Sequence, residues 1–254
     1  MSTTRNSFRI FNAFSNEFIK KFDFYLDSFD ELFHLQGEIG LDQNELSSLP
    51  ELDQNLVKAY LFLAESSNTT AIGTLRLLSS NLYSDAYSLV RILYEIACLM
   101  HYGNMSRTNK EELYFSMFKS NLPEEEHYKN EWKLIKKAEN QYESECPGFI
   151  AVRRELNNFG GHISRRKVVS GNITSIGESS ASRLFSYNFN NRYLLAGLEF
   201  VHNTFNIILE EYAKHLKEFN GVTNEAYDDI MKFASNFLDN IRPKLQNFID
   251  PNIP

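Results

Sequence analysis

Apolar residues along the chain recur at three- and four-residue steps, the period of helices with one buried face. Phe11, Phe14, Phe18, Phe22, Tyr25, Phe29 and Leu32 form the longest such run and predict a core-facing aromatic stripe on a long first helix. Strand signals are weak, with no Asn-Gly type of turn between alternating runs. Residues 37–51 hold Gly37, Gly40, Asp42, Asn44 and Pro50 and read as a loop. A second helix is expected over about 52–83, bent near Ser66–Asn68. A third is expected over about 84–102, capped by Ser84 or Asp85 and ending near Gly103. A fourth covers about 110–121. Pro123 then starts a fifth, with Glu124, Glu125 and Glu126 favourable in its first turn. A sixth runs over about 147–158 and stops at Gly160-Gly161, and polar residues 164–187 read as a long flexible loop. Two long helices, about 190–219 and 223–248, close the chain. Gly221 separates them as a cap, and Pro243 kinks or ends the last. The expected fold class is therefore all-α: one helical domain over 1–254, a bundle of about seven to eight helices with long N- and C-terminal helices.

The third helix is apolar over most of its circumference, through Leu89, Val90, Ile92, Leu93, Ile96, Ala97, Leu99 and Met100, which places it inside the bundle. Its polar residues Ser84, Ser88, Arg91, Glu95, Cys98 and Tyr102 step by four and three residues along one narrow stripe. Arg91 and Glu95, four apart, are close enough to pair. Two readings stand. The pair is a structural ion pair that fixes helix register, or Arg91 faces a pocket, oriented by Glu95, and binds an anionic group such as phosphate.

Composition narrows the setting. The net charge of −7 argues against nucleic-acid binding over the whole surface and leaves room for a local basic patch. Two cysteines, Cys98 and Cys146, are too few for a disulfide framework and point to a reducing compartment. No apolar segment reads as a secretory signal or a membrane span, so a cytoplasmic protein without membrane contact is expected.

Against that acidic background, residues 153–167 carry Arg153, Arg154, Arg165, Arg166 and Lys167 around His162, opposed locally by Glu155. Imidazole exchanges protons near neutral pH and arginine holds phosphate oxygens through paired bonds. Together they supply a base for a ribose hydroxyl and cations for developing charge, enough for RNA cleavage without metal. A solvated charged surface with His162 as a helix-end anchor is the plainer alternative. Elsewhere the sequence has no phosphate-binding glycine loop, dinucleotide fingerprint, His-Glu-x-x-His or zinc-spaced cysteine pair, so no cofactor or metal is expected. His34, His127 and His215 read as surface residues, His101 and His202 as satisfied core groups, and the neighbours Glu210-Glu211 and Asp228-Asp229 as solvated faces.

The stretch from Thr70 to Tyr102, with Leu75-Arg76-Leu77-Leu78, Asp85-Ala86-Tyr87-Ser88-Leu89-Val90-Arg91 and Tyr94-Glu95, resembles the core signature of DUF5677-type bacterial proteins. Ala86, Arg91 and Glu95 match its helical part, and Asn158-Phe159-Gly160-Gly161-His162-Ile163-Ser164 matches its second, histidine-ending part. The resemblance spans about residues 55–165. A looser similarity is to HEPN domains, helical bundles that include metal-independent ribonucleases of toxin–antitoxin and phage-defence systems. Aligned on their motif through Asn158 and His162, the chain has Asn157 at the family's arginine position, and Arg153, Arg154 or Arg91 would fill that role. The resemblance implies an RNA substrate, His162 as base or acid, Arg91, Arg153 and Arg154 on phosphate, and Glu95 and Asn158 orienting them. It also implies a homodimer, with a cognate antitoxin or defence-system protein as partner. The competing expectation is a non-catalytic helical module for dimerisation or for binding a ligand or partner.

Overall fold

The computed structural model describes residues 3–80, 82–119, 123–148, 153, 154, 156 and 192–247. It is an all-α bundle, 87% helical, with nine α-helices and no strand among the described residues. In chain order these are α1 (Thr3–Gly37), α2 (Gln43–Ser48), α3 (Glu51–Ser79), α4 (Tyr83–Asn104), α5 (Arg107–Met117), α6 (Glu124–Glu145), α7 (Arg192–Lys217), α8 (Asn224–Asn236) and α9 (Arg242–Gln246). No helix among the described residues is long and apolar enough to cross a membrane. Of the expected sixth helix, Pro147 and Gly148 instead form a turn after α6 and Arg153, Arg154 and Leu156 are helical; its other residues and the 164–187 loop lie outside the described residues.

Helix α4 is the hub, packed against α3, α5, α6 and α7. Val90, Leu93, Tyr94, Ala97, Cys98 and Met100 are buried, while Ile92 alone of its large apolar side chains stays open, at 44% exposure. The aromatic stripe of α1 is buried from Phe18 through Phe22, Tyr25 and Phe29 to Leu32, and Tyr25 Oη donates to the carbonyl of Leu198 on α7 at 2.7 Å. The side chains of Phe11 and Phe14 lie outside the described residues. Helix α1 kinks at Phe22, whose φ of −115° and ψ of 24° leave the helical region.

Several boundaries differ from the expected ones for identifiable reasons. The loop at 37–51 contains α2, nucleated by a capping box. Asp42 accepts from the amides of Asn44 and Glu45 at 2.7 and 2.8 Å, and Glu45 reaches back to the Asp42 amide at 2.8 Å. Helix α3 continues through Ser66–Asn68, where the hydroxyls are satisfied within the helix and do not compete with it for a turn: Ser67 bonds Ala64 O, Thr70 bonds Ser66 O and Thr74 bonds Thr70 O, all within 2.8 Å. Helix α4 begins without a side-chain cap, at Tyr83, so Ser84 and Asp85 sit in its first turn, where the Asp85 charge favours the helix dipole.

At the end of α7 the left-handed residue is Asn220 (φ 59°), not Gly221. The amides of Asn220 and Gly221 close a Schellman motif on Lys217 O and Leu216 O. Gly221 is glycine for a different reason. Its carbonyl accepts from the Gly40 amide at 2.8 Å, and a Cβ there would sit 3.2 Å from Gly40 O and 3.1 Å from Leu41. Near the C-terminus, Pro243 lies in the first turn of α9, and the preceding Phe237–Ile241 is a π-helical turn. The wider turn accommodates a ring that would otherwise strike the carbonyl four residues back.

Helix α7 is buried on most of its surface, which overturns two expectations. His215 is fully buried, stacked on Tyr60 with ring centroids 3.8 Å apart, and Glu211 is 3% exposed. His34 and the pair Asp228 and Asp229 are on the surface as expected, and His127 is half-buried, paired with Glu131. His202 is a core group: Ser28 Oγ lies 3.0 Å from its Nε2, and Phe237 stacks on its ring at 3.7 Å.

Candidate functional site

The polar face of α4 turns toward α6. Arg91 is 9% exposed, and its Nε donates to Glu95 Oε1 at 2.9 Å, one turn along the same helix. Its Nη2 donates to Glu139 Oε1 on α6. Glu139 has no exposed surface, and its other oxygen is met by Lys136 Nζ at 3.1 Å and by Arg153 Nη1 at 3.4 Å. Arg153 also sets its Nε 2.7 Å from Glu143 Oε1, which accepts from the Tyr94 hydroxyl at 3.1 Å. Three cations, Arg91, Lys136 and Arg153, thus interleave with three carboxylates, Glu95, Glu139 and Glu143. The formal charges balance, as a buried ionic cluster requires.

Burial governs the titration of this seam. It raises the Glu95 carboxyl above its usual range, with Arg91 opposing and Glu139 reinforcing the shift. Burial also pushes the Cys98 thiol and the Tyr94 hydroxyl, which bond to one another, well above their ordinary values. Burial thus favours the protonated form of both, and Cys98 sits as a packed, buried thiol. At the far end of the stripe, Tyr102 leaves the cluster and donates to Glu112 of α5 at 2.6 Å, with Lys137 holding the same carboxylate at 2.8 Å.

Of the residues singled out in the sequence, the structure brings together Arg91, Glu95 and Arg153. Arg154 sits beside Arg153 in the chain and is exposed. His162, Asn158, Arg165, Arg166 and Lys167 lie outside the described residues. The sequence reading missed Glu139, Glu143 and Lys136, the α6 half of the cluster. Their spacing of three and four residues, flanking the buried Ala138 and Tyr142, was the available signal. Among the described residues, no group of His, Cys, Asp and Glu is placed to hold a metal ion. No protein-family model matches the chain, and comparison with curated proteins and with solved structures returns no match.

Proposed function

We propose that the chain is a non-catalytic helical module, built for dimerisation or for binding a partner, in which the Arg91 cluster holds α4, α6 and the Arg153 segment in register. The observation that carries this reading is the pairing of Arg91 with both Glu95 and Glu139 in a buried, charge-balanced site. A phosphate arriving at Arg91 would have to displace the Glu139 carboxylate and would then face it at short range, uncompensated. The test joins stability and activity. Arg91→Ala and Glu95→Ala are each expected to lower unfolding stability by several kcal/mol, about 3–5 for the buried arginine. The wild-type protein is expected to leave RNA intact in EDTA. Unchanged melts would remove the structural role, and cleavage in EDTA would remove the non-catalytic one.

The second reading is a HEPN-like, metal-independent endoribonuclease, or a weakened relative, in bacterial phage defence or a toxin–antitoxin pair. One contact favours it: Arg153, the first residue of the basic stretch 153–167, shares Glu139 with Arg91. Arg91, from the helical part of the resemblance, and the start of the basic stretch therefore meet on one carboxylate. In this reading His162 is the base or acid, Asn158 and Glu95 orient, and Arg153, Arg154, Arg165, Arg166 and Lys167 hold RNA. RNA cleavage in EDTA by the wild type, lost in His162→Ala, is its required outcome.

A further inference from the structure

His101 occupies a second polar cluster, separate from that of Arg91. Its Nδ1 lies 3.1 Å from Glu211 Oε1 on α7, and its Nε2 lies 2.9 Å from Glu145 Oε2 in the last turn of α6. An imidazole can donate to two carboxylates at once only when both ring nitrogens carry a proton, which makes it a cation. The neutral ring has one N–H, and its remaining lone pair would point at a carboxylate.

The two carboxylates are unequal. The Glu211 side chain is 4% exposed and accepts from Asn104 Nδ2 and Lys214 Nζ, both at 2.8 Å, so it stays satisfied whatever His101 does. Those donors, with His101, outweigh burial and hold its carboxyl down at about 2. The Glu145 side chain is 40% exposed, has Gln141 as its other donor at 2.8 Å, and can turn to water. Tyr142 of α6 also faces the ring, edge-on at 5.0 Å, and burial keeps it neutral. Glu210 acts on both Tyr142 and Lys214 from α7.

We propose that His101 is a pH-operated latch: as imidazolium it ties the C-terminal turn of α6 to α4 and α7, and on losing its proton it keeps Glu211 and releases Glu145. The hydrogen bonds the ring donates to Glu211 and Glu145 favour its charged form against partial burial, which moves the release up from the ordinary histidine value. The latch acts where α6 hands over to the chain leading to Arg153, and it needs no ligand.

The experiment is amide hydrogen exchange across residues 141–146, corrected for intrinsic rates, from about pH 6 to about pH 9, with the His101 ring titration followed by NMR. In the wild type, protection of that turn relative to the core of α4 should fall about two- to five-fold as His101 loses its proton, the worth of one partly exposed ion pair. In Glu145→Gln the turn should show the released level throughout, and the His101 midpoint should move down. Protection that is flat across the wild-type midpoint would overturn the latch. So would an equal pH response in Glu145→Gln, or a His101 ring that does not titrate in this range.

Discussion

Arg91 of α4 and Glu139 of α6 form an ion pair that reaches across the chain and has almost no contact with water. Glu139 is also the acceptor for Lys136 and Arg153, so one carboxylate anchors three cations. Its removal should therefore cost at least as much as any single cation's. Glu139→Ala is expected to destabilise the fold by about 3–5 kcal/mol, because Arg91 is left buried with only Glu95. Glu139→Gln keeps the shape and an acceptor and should cost less. Replacing Arg91 and Glu139 together by Met and Leu should cost less than the sum of the single changes, since no orphan charge remains. Urea unfolding of the wild type, Arg91→Met, Glu139→Leu and the double variant decides this, and strictly additive losses would mean the pair is not coupled.

Gly103, near the end of α4, tests packing without charge. A Cβ there would collide with the Tyr60 hydroxyl oxygen. Tyr60 cannot yield, since it is fully buried, stacked on His215, and donates to Met100 O at 3.2 Å. Gly103→Ala is expected to lose about 1–3 kcal/mol through overpacking, despite alanine's better helix propensity. Tyr60→Phe alone should lose about 1 kcal/mol with its hydrogen bond. The double variant should recover part of the alanine penalty, because the clashing atom is gone. Equal losses with and without the hydroxyl would show that the clash is not what excludes alanine.

The two cysteines should separate cleanly under alkylation. Cys98 is fully buried with its thiol held protonated by burial, whereas Cys146 is half-buried just past α6. Iodoacetamide at neutral pH is expected to modify Cys146 in the native protein and Cys98 only in denaturant. Peptide mass mapping reads the result, and rapid native labelling of Cys98 would contradict its placement in the core.

What the sequence made legible follows the range of the interactions. The all-α class, the α1 stripe and the hub position of α4 are repeating patterns of apolar residues, and Arg91–Glu95 is a local spacing; all could be read along the chain. Arg91–Glu139 spans 48 residues, and no local spacing links its partners. In sequence His215 reads as surface for its charged neighbours, and Glu211 as a solvated face beside Glu210. Burial on α7 is decided by the Tyr60 ring and by Asn104, Lys214 and His101, which come from elsewhere in the fold or from the next turn. The capping box at Asp42 and Glu45 is a local motif of the sequence, set among glycines and a proline that read as a loop. Asn220 took the left-handed position expected of Gly221 because asparagine tolerates that conformation and glycine was needed one residue later, against Gly40.

Stability should peak near neutral pH and fall on both sides for different reasons. Burial lowers His202 and His215 to about 3, with Lys110 and Arg107 adding to the shift at His215. The unfolded chain takes up those protons as pH falls through about 6.5, while the folded protein refuses them, so stability is lost between there and about pH 3. Glu211, held at about 2, contributes stability that is present above its unfolded pKa and is lost as pH falls toward 2. His101 is raised, so its contribution is full below the unfolded histidine value and is lost as pH rises through its folded pKa. His215→Phe isolates one arm. Neither His215 nitrogen has a hydrogen-bond partner among the described residues, so the phenyl ring gives up no polar contact while keeping the stack on Tyr60. The variant should be at least as stable as wild type at pH 7. Its loss of stability between about pH 6 and about pH 4 should be shallower by about one proton, read from the slope of unfolding free energy against pH. An unchanged slope would mean that His215 is already protonated, or reaches water, in the folded state.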